Sequence, residues 1–134
     1  MPEKRTLERA KRDKRQGKAS STQAGEFVRE EVHHIREGKH GARSTKQAIA
    51  IGLSKARRAG VKLKAPKKGA ASQRTRKQAS RDYEKGQMGS RRETSAKRSR
   101  AISNALKREG QSAASRSSLS KQARSAAEKR RKAA

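Results

Sequence analysis

The sequence predicts a chain that is mostly disordered around a small all-α core, and three observations predict it. Lys and Arg number 39 against 12 Asp and Glu, a formal net charge of +27 over 134 residues. Apolar content is 28 %, but 22 of those residues are Ala, and Leu, Ile, Val and Phe together number only 13. Nine of the 13 (Phe27, Val28, Val32, Ile35, Ile49, Ile51, Leu53, Val61 and Leu63) fall between residues 24 and 64. A chain with high charge and few large apolar side chains cannot bury enough surface to offset the entropy of ordering, so one globular domain over the full length is not expected.

The same unevenness divides the chain into a basic N-terminal arm (1–23, net +5), a helical core (24–64, net +6) and a basic tail (65–134, net +16). In the core, a helix-loop-helix is predicted at about 22–60. Ser21 or Thr22 caps the first helix, whose apolar positions Ala24, Phe27 or Val28, Val32 and Ile35 follow helical spacing, and Gly38 stops it. Ser44 with Gln47 three residues on forms a capping box, so Lys46 to Ala59 is predicted as the second helix. Ala48, Ile49, Gly52, Leu53 and Ala56 share one of its faces.

Lys55, Arg57 and Arg58 suit the C-terminal end of that helix dipole, and Gly60 supplies the left-handed stop with Val61 or Leu63 folding back. Gly52 on the apolar face predicts a close helix approach, and the connection from Gly38 to Ser44 allows an antiparallel pair. Core packing is assigned to Phe27, Val28, Val32, Ile35, Ile49 and Leu53. So thin a pair is expected to be marginal alone, or stabilised by self-association or a bound polyanion, with Ile51 either a contact for such a partner or simply exposed.

Beyond Ala65-Pro66-Lys67-Lys68-Gly69 the chain becomes Ala, Ser, Arg and Lys, for which transient helices that firm up on binding are expected. Arg98 to Arg108 is a candidate short third helix, and Lys-Gln-Ala recurs at 46, 77 and 121 as a faint internal echo.

The run Arg43-Ser44-Thr45-Lys46-Gln47-Ala48-Ile49-Ala50-Ile51-Gly52-Leu53-Ser54-Lys55-Ala56-Arg57, preceded by His34-Ile35-Arg36-Glu37-Gly38-Lys39, resembles the core of a family of small, strongly basic bacterial proteins classed as a domain of unknown function. The resemblance covers about 30 of the 134 residues. It implies a bacterial source and a helical core and nothing about catalysis. The basic tail here is longer than in many relatives, so no shared role extends to residues 65–134.

Charge is the strongest functional signal. Each phosphate neutralised by Lys or Arg releases condensed counterions, which makes such a chain a salt-sensitive nucleic-acid binder. The assigned contacts are Lys46, Lys55, Arg57, Arg58, Lys67, Lys68, Arg91, Arg92, Lys97, Arg98, Arg100, Lys107, Arg108, Lys129, Arg130, Arg131 and Lys132. Only Phe27 and Tyr83 are aromatic, too few for a stacking platform, which favours backbone binding to duplex DNA of a nucleoid-associated or linker-histone-like type. The alternatives are an RNA or ribosome-associated protein, or a protein-interaction module whose basic tails solubilise it. A helix-turn-helix is disfavoured by the long loop and the lack of a third helix.

No cofactor is expected. There is no Cys, which excludes disulfides, thiolate metal sites and a Cys nucleophile. Glu30 with His34, and His33 with Glu37, have i, i+4 spacing, but the pairs point in different directions and no metal site is expected. Without a phosphate loop, a nucleophile elbow or the means to build a pocket, no enzyme is expected. No apolar run suits a membrane span or secretory signal, and a cytoplasmic, nucleoid location is the expectation.

Overall fold

Helix formers and caps dominate the chain, and the backbone follows them. The structure, a computed structural model, describes residues 2–89 and 95–133. It has six α-helices among those residues: α1 (Lys4–Arg15), α2 (Ser20–Arg36), α3 (Thr45–Arg58), α4 (Gln73–Met88), α5 (Ala96–Lys107) and α6 (Arg116–Ala133), with a 3-10 turn at Ser112–Ala114. The expectation of a mostly disordered chain is therefore wrong. The arm forms α1 and opens α2, and the tail forms α4, α5 and α6. Serine caps explain where three of these start: Ser72 Oγ accepts from Thr75 N at 3.2 Å, Ser95 Oγ from Arg98 N at 3.3 Å and Ser115 Oγ from Ser118 N at 3.1 Å. Ala, Arg, Lys and Gln between the caps are favourable helix residues.

The two core helices lie close to their expected bounds. Gln47 N donates to Ser44 Oγ at 3.2 Å while Arg43 N donates to Gln47 Oε1 at 2.6 Å, so the side chains at both ends of the box satisfy the first turn of α3. Gly38 (φ +79°) and Gly60 (φ +102°) hold the left-handed stops. Gly52 fits its predicted role, since a Cβ there would lie 2.6 Å from Val28 Cα.

Apolar burial is where composition misled. Of the eleven buried apolar residues, eight are Ala: Ala10, Ala24, Ala42, Ala48, Ala56, Ala79, Ala113 and Ala114, beside Phe27, Ile35 and Val61. Small side chains let helices approach closely, so a core forms with few large ones. Of the six residues assigned to the core, Phe27 and Ile35 are buried, whereas Val28, Val32, Ile49 and Leu53 are half-buried, as is Ile51. The stripe of α3 that goes under is Ala48, Gly52 and Ala56, at i, i+4 and i+8.

The chain divides into two compact units, and the division cuts through the expected 24–64 core. Unit 1 comprises Met1–Glu30 with Ala50–Glu93, and unit 2 comprises Glu31–Ile49 with Thr94–Ala134. In unit 1, Ala10, Ala24, Phe27, Ala56 and Val61 form the core, with Leu7, Leu53 and Leu63 against it. Ala10 shares a buried face of α1 with Thr6 and Asp13. Two buried carboxylates accept from hydroxyls: Thr6 Oγ1 donates to Glu30 Oε1 at 3.1 Å, and Ser54 Oγ donates to Asp82 Oδ2 at 2.6 Å. In unit 2, Ile35, Ala42, Ala48, Ala113 and Ala114 pack with Val32. Thr45 Oγ1 donates to Ala113 O at 2.6 Å and Arg36 Nε to Ala114 O at 2.9 Å, fixing the 3-10 turn against α2 and α3. No helix among the described residues is long and apolar enough to cross a membrane.

Candidate nucleic-acid interface

Within unit 2, the N-terminus of α3 opens onto a groove of about 430 Å³. It is lined by Arg43, Ser44, Thr45 and Lys46 at the start of α3, by Ser112 and Ala113 of the 3-10 turn, and by Ser118, Lys121, Gln122 and Ser125 of α6. Three cations and several hydroxyl and amide groups line it, and none of the lining residues is acidic. The capping box fixes Ser44 as the last residue before the helix, and so places the positive end of the α3 dipole among the groove-lining residues. Backbone N–H groups at a helix start with Lys and Arg beside them suit a phosphate oxyanion.

The face of α6 that lines the groove runs on beyond it. Ser118, Gln122 and Ser125 are spaced by four and three residues, and the same spacing reaches Lys129 and Lys132, both exposed. From Lys121 to Lys132 the helix rises about 16 Å at 1.5 Å per residue. That is the rise of about five stacked base pairs at 3.4 Å each.

The other assigned contacts divide by burial. Lys46 lies in the groove. Lys97, Arg100 and Lys107 are exposed on one stripe of α5, with Arg98 exposed beside them and Arg108 exposed at the C-cap. Arg130 and Arg131 are exposed in the last turn of α6, and Lys67 and Lys68 are exposed in the connection between α3 and α4. Lys55 is half-buried and engaged within the protein. Arg58 is exposed, with Nε 3.4 Å from Ser54 O and 4.0 Å from Asp82 Oδ1. Arg91 and Arg92 lie outside the described residues.

Arg57 does not belong in the set. It is buried, and its fork is occupied: Nε donates to Leu63 O at 3.0 Å and Nη2 to Lys64 O at 3.3 Å, tying the segment after Gly60 back onto α3. Burial pulls the guanidinium below its ordinary pKa, and the Asp82 carboxylate acts in the opposite direction.

Sequence reasoning missed Arg43 and Lys121. Arg43 immediately precedes a capping box, which marks a helix start and so an anion-favouring position. Lys121 belongs to a Lys-Gln-Ala echo, but only folding brings it to Lys46. The histidine next in sequence to the spaced His33–Glu37 pair takes up a different set of neighbours from it. His33 Nε2 lies 2.9 Å from Glu37 Oε1 at the exposed surface, whereas His34 joins Glu31 and His40. No family model matches the chain, and neither does any curated protein or solved structure.

Proposed function

We propose that the protein is a non-enzymatic nucleic-acid-binding protein that grips the phosphate backbone of duplex DNA in a nucleoid-associated manner. The acid-free groove between the α3 N-terminus and α6 carries this reading. It gathers cations, hydroxyls and a helix dipole at one place, in a chain of net charge +27. The contacts come from folded helices rather than from disordered arms, with the exposed cations of α5 and the last turns of α6 extending the electropositive surface. Affinity of this kind is sequence-independent and falls with the logarithm of salt. The bacterial family resemblance of the 43–57 run is compatible with this role and does not add to it.

The test is fluorescence anisotropy of the full chain on one duplex DNA and one structured RNA of equal phosphate number, at matched salt. Tighter duplex binding with a steep salt slope is expected. Preference for the RNA moves the protein to the ribosome or another RNA partner. Negligible binding of both polymers at about 0.15 M salt leaves the charge as a solubilising surface and overturns the reading.

A further inference from the structure

Unit 2 contains a second chemical feature, separate from phosphate binding. Glu31 and His34 lie at i, i+3 on α2, which puts them on one face of the helix. His40 comes to them from the loop between α2 and α3. That loop is held firmly: Gly41 N donates to Leu106 O at 2.8 Å and Ala42 N to Gly110 O at 3.1 Å. A side chain at position 41 would overlap the Glu109 carbonyl, so only glycine lets the loop seat there. The ligand-type atoms of Glu31, His34 and His40 all lie within 4.8 Å of one another.

The hydrogen bond on the far side of the His40 ring orients it. Nδ1 is 2.9 Å from Gly41 O, and because a carbonyl only accepts, Nδ1–H is the donor. In the neutral ring this leaves Nε2 with its lone pair, and Nε2 faces Glu31 Oε2 at 3.1 Å. The Glu31 side chain is 1 % exposed and that of His40 16 %. A carboxylate oxygen and a ring nitrogen this close together at this depth make a place suited to a cation. A second ring proton on His40 would serve, giving an ion pair; a metal ion would serve equally.

His34 supplies a third donor, whose ligand-type atom lies within 4.8 Å of those of both Glu31 and His40, and three donors gathered at one place are what a metal site requires. The 3.1 Å between His40 Nε2 and Glu31 Oε2 is close to the roughly 3.3 Å that a tetrahedral centre with bonds of about 2.0–2.1 Å sets between two of its donors. Backbone support of the outer ring nitrogen is the usual arrangement behind a metal-ligating histidine.

We propose that Glu31, His34 and His40 form a binding site for a divalent transition-metal ion of the zinc type, with the fourth position left to water. Two imidazoles and one carboxylate, without thiolate, suit Zn²⁺ and neighbouring ions rather than Ca²⁺ or Mg²⁺, which prefer all-oxygen sets. The ion would tie α2 to the α2–α3 loop.

The experiment uses the tag-free full chain, stripped with a chelator. Zn²⁺ is titrated against a chromophoric chelator, and Co²⁺ is titrated while its visible d–d absorption is followed. Wild type is expected to take up one equivalent, with the absorption of a tetrahedral cobalt site. His34→Ala and His40→Ala are expected to weaken Zn²⁺ binding by at least about tenfold. His33→Ala, whose ring is engaged with Glu37, is expected to bind as wild type. Circular dichroism of each metal-free variant checks that the fold survives; should His40→Ala lose helicity, His34→Ala carries the comparison. Absent uptake overturns the site and leaves an ion pair. Uptake that His34→Ala does not weaken, or that His33→Ala weakens equally, overturns it too.

Discussion

Gly52 on α3 stands against the backbone of Val28 on α2, so near that a Cβ at position 52 would meet Val28 Cα at 2.6 Å and Val28 Cγ2 at 2.9 Å. Alanine would gain about 1 kcal/mol of helix propensity over glycine, but backbone cannot yield as a side-chain tip does, and overpacking costs typically 1–3 kcal/mol. Gly52→Ala is therefore expected to lower stability by up to about 2 kcal/mol in urea denaturation. Gly25 on α2 is the contrast, with nothing within 4 Å of an added Cβ. Gly25→Ala is expected to raise stability by up to about 1 kcal/mol.

Arg57 separates structural from binding cations. Arg57→Ala leaves the Leu63 and Lys64 carbonyls without their charged donor and is expected to cost about 2–3 kcal/mol in the same assay. The salt slope of nucleic-acid binding is expected to stay unchanged, and a fall in that slope would return Arg57 to the interface. Its lowered pKa means that the unfolded chain holds the proton more firmly, so this group alone makes stability rise with pH only where it titrates, far above neutrality. Between pH 5 and 8 its contribution is flat.

The α3 capping box is testable by removing one half. Ser44→Ala deletes the acceptor for Gln47 N and is expected to cost about 1 kcal/mol, while Ser44→Asn, which restores an acceptor, is expected to cost a few tenths. Equal losses for the two would mean that the cap contributes little to the helix.

Local stability is expected to differ along the chain. Neither α5 nor α6 has a buried residue, whereas Ala24, Phe27 and Ala56 anchor α2 and α3. Amide hydrogen exchange is therefore expected to be faster in α5 and α6 than around Phe27, and to slow there when duplex DNA is added. Exchange in α5 and α6 unaffected by DNA would count against their basic stripes as contacts.

The sequence made α2, α3, their glycine stops, the Ser44–Gln47 box and the Gly52 approach legible because each follows a local rule. Helix α5 was also legible, through Ala101, Ile102 and Leu106, within two residues of its expected start. Helices α1, α4 and α6 were not, because counting large apolar residues passes over cores built from Ala10, Ala79, Ala113 and Ala114. Charged residues usually count as solvated, yet Asp13, Glu30, Glu31 and Asp82 are buried. The groove was half legible. Lys46 and the helix start are local, but Lys121 reaches them only through the tertiary fold, as His40 reaches Glu31.

The most direct test of the account compares the salt slope of duplex binding for wild type with two charge-matched triple variants. Arg43→Gln/Lys46→Gln/Lys121→Gln empties the groove of charge, and Lys4→Gln/Lys11→Gln/Arg15→Gln removes three exposed cations from α1. At about 0.9 per phosphate contact, the groove variant is expected to lose about 2.7 from the log–log slope, and the α1 variant less than about 1. Equal losses would mean that net charge alone binds the polymer and that the groove is not the site.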